Sequence, residues 1–141
     1  MNSNIEKAKN LLSEGVYTFA AVNGKHVLTS SERGVKPLLL LLDAGESLNG
    51  FSAADKVIGK AAAFLYTLLG AEKIYSEVIS EPALKVLENH GIQVEYDILT
   101  RAIRNRNNTG LCPMESAVSL TDDPDTALML IRKKLRELSD K

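Results

Sequence analysis

The 141-residue chain carries 17 Lys+Arg against 18 Asp+Glu, a formal net charge of -1, with 45% hydrophobic and 25% charged residues. That balance fits a single ordinary globular domain spanning residues 1–141, able to bury a core, and it supplies no overall field to attract a polyanion. The one cysteine, Cys112, excludes an intrachain disulfide and fits a reducing compartment. The start MNSNIEKAKNLL lacks the basic and apolar segments of a secretion signal, and the apolar runs at 35–42 and 61–69 are too short to cross a bilayer. A cytoplasmic protein with no membrane partner is expected.

Ser3-Asn4-Ile5-Glu6 has the S-x-x-E form of a capping box, and Ile5, Ala8, Leu11 and Leu12 then share one helical face, so residues 4–14 should be helical. Residues 16–22 and 25–30 read as two strands joined at Asn23-Gly24, a turn signal for a hairpin. The loop SERGVK (31–36) is polar. Pro37 then sits well in a first helical turn, and the five leucines after it form a short buried helix. Phe51 is expected to plug the core.

Residues 52–69 read as one long, nearly all-apolar helix at the centre of the fold, capped by Ser52 with Asp55 reaching back. A strand at 73–80, a helix opened by Ser80-Glu81-Pro82 and running to Asn89, and a strand at 92–99 follow. RAIRNRNNTG (101–110) is irregular. Pro113 opens a helix over 114–120, and Thr121-Asp122-Asp123-Pro124 caps a last one to about Leu138. An α/β fold results: a three-layer α-β-α sandwich with a mixed sheet, an N-terminal antiparallel hairpin and later parallel strands.

Open α/β sheets bind ligands beyond the carboxyl ends of their strands, beside helix N-termini. The candidates here are the openings at Ser52, Ser80 and Cys112. Within the long helix, Asp55, Lys56, Gly59 and Lys60 would span an arc of roughly 140° and could line one pocket. Two lysines and a glycine at a helix N-terminus suit an anion. Taken alone, Asp55 is as well explained by capping. Glu81 can equally be an acid favoured by the helix dipole, and His26 and His90 have no partners at metal-ligand spacing. Cys112 lies just before a proline-opened helix, where a thiol can be activated, although a lone intracellular cysteine is more often inert. Thr109 or Cys112 can cap that helix, with Glu115 pairing back to its start. Arg33 and Lys36 flank Gly34 in a polar loop. Arg101, Arg104 and Arg106 could meet phosphates, but aromatic content of 5% argues against a nucleic-acid face.

RGVKPLLLLL, ADKVIGKAAAFL, VISEPALKVLENHGI and TGLCPME together resemble an uncharacterised family within the cytidine deaminase-like superfamily, over about residues 5–120. The resemblance implies that fold. Zinc deaminases carry H-x-E at one helix opening and P-C-x-x-C at the next. Aligned by openings, Ala53, Ala54 and Asp55 meet the first motif, and Pro82, Ala83 and Val86 meet the second. None of the ligand positions could bind zinc, which implies no metal and no zinc-dependent deamination.

The expectation is a metal-independent protein that binds, and could transform, an anionic, nucleotide-like small molecule with no separate cofactor. Asp55, Cys112 and Glu115 would face the chemistry; Arg33, Lys36, Lys56, Gly59, Lys60 and Glu81 would bind. The alternatives are a non-catalytic regulatory or interaction module, which predicts an apolar patch or a homo-oligomer interface, and a thiol redox protein centred on Cys112.

Overall fold

The computed structural model describes residues 3–104 and 110–139. Its elements are α1 (Asn4–Ser13), β1 (Phe19–Asn23), β2 (His26–Ser30), α2 (Lys36–Asp43), β3 (Ser52–Ile58), α3 (Lys60–Leu69), β4 (Lys73–Ser80), α4 (Glu81–Asn89), β5 (Gln93–Thr100), α5 (Pro113–Val118) and α6 (Pro124–Ser139). The five strands form one mixed sheet in the order β2-β1-β3-β4-β5. β1 is antiparallel to both β2 and β3, whereas β3, β4 and β5 run parallel.

Local signals explain much of this. Ser3 Oγ accepts from the Glu6 amide at 3.2 Å, one half of the expected capping box. The hairpin turns one residue later than the Asn-Gly pair suggests: Asn23 pairs with His26, so Gly24-Lys25 forms the two-residue loop, with Gly24 at φ 61°. The Gly24 amide donates to Asn4 Oδ1 at 3.0 Å, tying the turn to the start of α1. Ser80, fully buried, caps α4 by accepting from the Ala83 amide at 3.2 Å, and Asp123 does the same for α6 through Thr126.

The long helix expected over residues 52–69 is the principal correction. Ser52–Ile58 is the central strand, Gly59 follows as the N-cap, and the helix begins at Lys60. Ser52 therefore caps nothing, and Asp55 belongs to no capping box. Alanines favour a helix in isolation, but β3 is hydrogen-bonded on both sides and covered on both faces. A short apolar run of that kind cannot be told from a buried helix by periodicity, and tertiary pairing overrides propensity.

Two apolar layers bracket the sheet. On one face Ile5, Ala8 and Leu12 of α1 pack against Val22, Ala54 and Tyr75. The larger cluster on the other face joins the sheet to α2, α3, α4, α5 and α6, with Phe64, Leu65, Tyr66 and Leu69 of α3 at its centre and Phe51 against it. Burying each such large side chain contributes about 1.5–3 kcal/mol. Lys9 of α1 pairs with Glu95 of β5 and lies 4.7 Å over the Tyr75 ring, whose hydroxyl donates to Asp97. Ala53 and Ile58, five residues apart, join the same cluster. Strict strand alternation is therefore broken between them, around Asp55.

Candidate functional site

Because β1 is antiparallel to β3, its beginning lies beside the carboxyl half of β3: Phe19 pairs with Asp55, and the Lys56 amide donates to the Thr18 carbonyl at 3.2 Å. Thr18 Oγ1 also donates to the Glu32 carbonyl at 2.5 Å, which brings the loop before α2 to the same place. α3 starts directly above, and Cys112 and α5 close the far side. Between them lies a cavity of about 320 Å³. It sits on the side of the sheet beyond the carboxyl half of β3, where open α/β sheets bind their ligands, and beside the strand at which pairing changes from antiparallel to parallel. Its volume is at the lower end of the range for small-molecule sites.

Arg33, Asp55, Lys56, Gly59, Cys112 and Glu115 all line this cavity. Of the other candidates, Lys36 pairs with Glu32 at 3.3 Å on the exposed side of α2, and Glu81 stands exposed in the first turn of α4; neither reaches the lining. The Lys60 ammonium donates to the Ser119 carbonyl at 3.2 Å and lies 3.8 Å from Asp122, tying α3 to the α5–α6 connection. Arg101 and Arg104 do not line the cavity; Arg106 and Thr109 lie outside the described residues.

Three acids line the cavity; Glu32 is exposed and paired with Lys36, and the other two are held differently from it and from each other. Glu115, 8% exposed, does not pair back to its own helix as its spacing suggests. Its Oε1 accepts from the Lys60 amide at 2.7 Å and its Oε2 from the Ala61 amide at 3.0 Å, so it caps α3 from another element. Burial raises its pKa, against the pull of those two amides and the Lys60 ammonium. Gly59 makes this possible. A Cβ there would lie 2.5 Å from the Glu115 carboxyl carbon. Its backbone is ordinary extended chain, so the requirement is for space rather than for an unusual angle.

Asp55 is half-buried in the middle of β3, the last residue of that strand paired with β1. Its Oδ2 accepts from the Tyr66 hydroxyl at 2.7 Å, and its Oδ1 has a long 3.4 Å contact to the Val57 amide. Burial pushes the carboxyl up to about 7, although the Tyr66 hydroxyl and the amides of Val57 and Lys56 pull it down. Tyr66 is fully buried, with Phe19 packed on its ring at 6.3 Å between centroids; its own pKa is raised by that burial and by Asp55. Near neutral pH, Asp55 is thus poised to give or take a proton, the property expected of a working acid/base or a switchable hydrogen-bond donor.

Tyr66 was not singled out from the sequence, although one signal was present: a tyrosine inside an apolar helix needs a partner for its hydroxyl. Thr18, Phe19, Ile103 and Met114, which line the cavity as Tyr66 does not, carried no such signal.

Zinc does not fit. The helix opening after β3 is Gly59-Lys60-Ala61 rather than the strand residues Ala53, Ala54 and Asp55, so the expected alignment shifts, and the new positions offer no metal-binding side chain except an amine already engaged. At the α4 opening, Ala83 and Val86 are packed in the core. Among the described residues no group of three or more His, Cys, Asp or Glu could hold a metal ion. No helix among them is long and apolar enough to cross a membrane.

Fold and cavity together define a mixed α/β protein whose five-strand sheet, flanked by helices, carries a ligand-sized cavity beside the strand at which pairing changes from antiparallel to parallel. The chain belongs to the TM1506 family, a domain of unknown function (DUF1893), whose pattern matches residues 7–135. It is similar to the crystal structure of a DUF1893 family protein (TM1506) from Thermotoga maritima, with 28% identity and a TM-score of 0.84, over 97% of this chain and 92% of that one. None of the curated proteins matches.

Proposed function

We propose that the protein is a metal-independent, deaminase-type scaffold that binds an anionic, nucleotide-like small molecule in the cavity between β3, α3 and α5. The observation that carries this is the convergence of Arg33, Lys56, Asp55 and Glu115 on one space of about 320 Å³ with largely apolar walls, Phe19, Val35, Pro37, Ala61, Ala62, Ile103 and Met114 among them. A hairpin followed by parallel strand–helix units, with helix openings at Gly59 and Ser80, supports the deaminase-type part of the reading.

Arg33 and Lys56 supply the positive charge for the ligand's anionic end; the apolar walls take an uncharged, planar body. The α3 amides of Lys60 and Ala61 already hold Glu115, so the anion rests on side chains instead of on the helix opening. Asp55, partly neutral near pH 7, does not repel it as a full carboxylate would. Any chemistry falls to Asp55 as the proton-exchanging group, while Cys112 is a half-buried wall residue.

Thermal melting with a panel of nucleoside monophosphates and sugar phosphates at low salt tests this. At least one should raise the melting temperature. Arg33→Ala and Lys56→Ala should each weaken that shift several-fold, by about 1 kcal/mol or more of binding, whereas Lys134→Ala on α6 should not. No shift across the panel, or equal losses in all three variants, overturns it.

A second reading rests on a different surface. Tyr96, Ile98 and Leu99 of the edge strand β5 are 40%, 57% and 42% exposed, which suits a protein-interaction module. A monodisperse monomer by light scattering, together with ligand binding, counts against it.

A further inference from the structure

Building on the cavity as an anion-binding site, we propose that Asp55 is its specificity-determining residue. Oriented by Tyr66, its carboxyl reads a hydrogen-bonding edge with adjacent donor and acceptor on the ligand's ring, while Glu115 is a positioning residue. The ligand class is then narrower than an anion: a planar heterocycle with a lactam or amidine edge, carrying a phosphate or carboxylate some distance away.

The difference between the two acids follows from counting hydrogen bonds. Each Glu115 oxygen accepts a short amide bond, at 2.7 and 3.0 Å, and the pair is fixed over Gly59. Moving that carboxylate to meet a ligand would expose two helix amides. Asp55 has one strong bond, from Tyr66 to Oδ2 at 2.7 Å, and a marginal one, the Val57 amide at 3.4 Å from Oδ1. Tyr66 donates to Oδ2, which leaves Oδ1 as the oxygen to carry the proton when the acid is neutral. Oδ1–H then donates to a ring nitrogen or carbonyl, and the remaining lone pair of Oδ2 accepts from an adjacent N–H. Tyr66 cannot move to compete, being buried in α3 and packed on Phe19.

Charged groups of both signs line the same cavity. From the loop before α2 come Glu32 and Arg33, from β3 itself Lys56, and from α5 Glu115 with Cys112 beside it, while Tyr66 of α3 reaches Asp55 by its hydrogen bond. The cross-strand neighbours Phe19 on β1 and Ser76 on β4 do not titrate. Burial raises the Asp55 pKa to about 7, so its donor function is present below that pH and lost above it.

Isothermal titration calorimetry with uridine monophosphate, cytidine monophosphate and ribose 5-phosphate, at pH 6 and pH 8, provides the test. Ribose 5-phosphate shares the anion but has no ring edge. The wild-type protein should bind one of the two nucleotides about tenfold more tightly than ribose 5-phosphate at pH 6, the loss expected for one unmade hydrogen bond to a buried partner. That preference should shrink at pH 8. Asp55→Asn, which resembles the neutral acid, should keep the preference and make it independent of pH. Asp55→Ala should reduce it to nothing while ribose 5-phosphate still binds. Retention of the preference in Asp55→Ala, or equal binding of all three probes to wild type, overturns the assignment and leaves the anion site standing. If no probe binds at all, the anion site itself falls. Circular dichroism confirms that each variant is folded, and Asp55→Asn carries the test should Asp55→Ala fail to fold.

Discussion

Gly59→Ala tests the architecture of the site more sharply than any change to a charged residue. The new Cβ would stand 2.5 Å from the Glu115 carboxyl carbon and 2.6 Å from both of its oxygens. The backbone at Gly59 suits alanine, which by itself would stabilise the protein by about 0.4–1 kcal/mol through the unfolded chain. The carboxyl is the far end of a flexible side chain, so it can swing away, but only by giving up the amides of Lys60 and Ala61. Two such bonds to an ionised acceptor are worth about 1.5–3 kcal/mol each, and water at the cavity mouth replaces part of them. A net loss of about 2–4 kcal/mol is expected, or a fall in melting temperature of about 6–14 °C for a chain of this size. Urea and thermal unfolding of wild type, Gly59→Ala, Glu115→Ala and the double variant form a closed cycle. In the Glu115→Ala background the glycine change should be neutral or slightly stabilising. If Gly59→Ala costs the same with and without the Glu115 carboxylate, the steric argument is refuted.

Stability should also depend on pH in an unusual direction. An unfolded aspartate titrates near 3.9, whereas Asp55 in the folded chain titrates at about 7. The native state therefore binds the extra proton between those values, and the Asp55 contribution falls as pH rises from about 4 to about 7. Allowing for its partial contact with the open cavity, the size is about 1–3 kcal/mol. Glu115, also raised, acts with the same sign. Asp55→Asn should therefore raise the melting temperature at pH 8 and change it little at pH 5; the reverse pattern would contradict burial as the cause. Ser80→Ala removes the buried N-cap of α4 and should cost about 1 kcal/mol in urea unfolding. A cost near zero would mean that the Ala83 amide finds another acceptor.

Local patterns were enough for the hairpin, for α1, for the helix opened by Pro37 and for the β4–α4–β5 run. Each is specified by residues within a few positions of one another: Ser3 with Glu6, Gly24 in its turn, Pro37 in a first helical turn, Ser80 ahead of Pro82. Of the three openings expected to carry a site, at Ser52, Ser80 and Cys112, only Cys112 lies at the cavity; Ser52 begins a strand, and the opening that does border the cavity is at Gly59. The candidates Arg33, Asp55, Lys56, Gly59, Cys112 and Glu115 do line a common cavity, although Lys36, Lys60 and Glu81 stand outside it.

What the sequence alone determined is therefore the menu of elements and the polar residues near their ends. Composition, capping and turn chemistry act over short distances, and they survive whatever the rest of the chain does. Only the tertiary structure decided that residues 52–58 form a strand, because Ser-Ala-Ala-Asp-Lys-Val-Ile becomes extended through hydrogen bonds to β1 and β4, neither of which is adjacent to it in sequence. The same long-range packing set the roles of the acids. Glu115 caps a helix that begins 55 residues before it, and Asp55 meets Tyr66 from the next element, so one acid is fixed and the other left able to exchange its proton. Burial shifts both pKa values, and burial belongs to the assembled fold rather than to any stretch of chain.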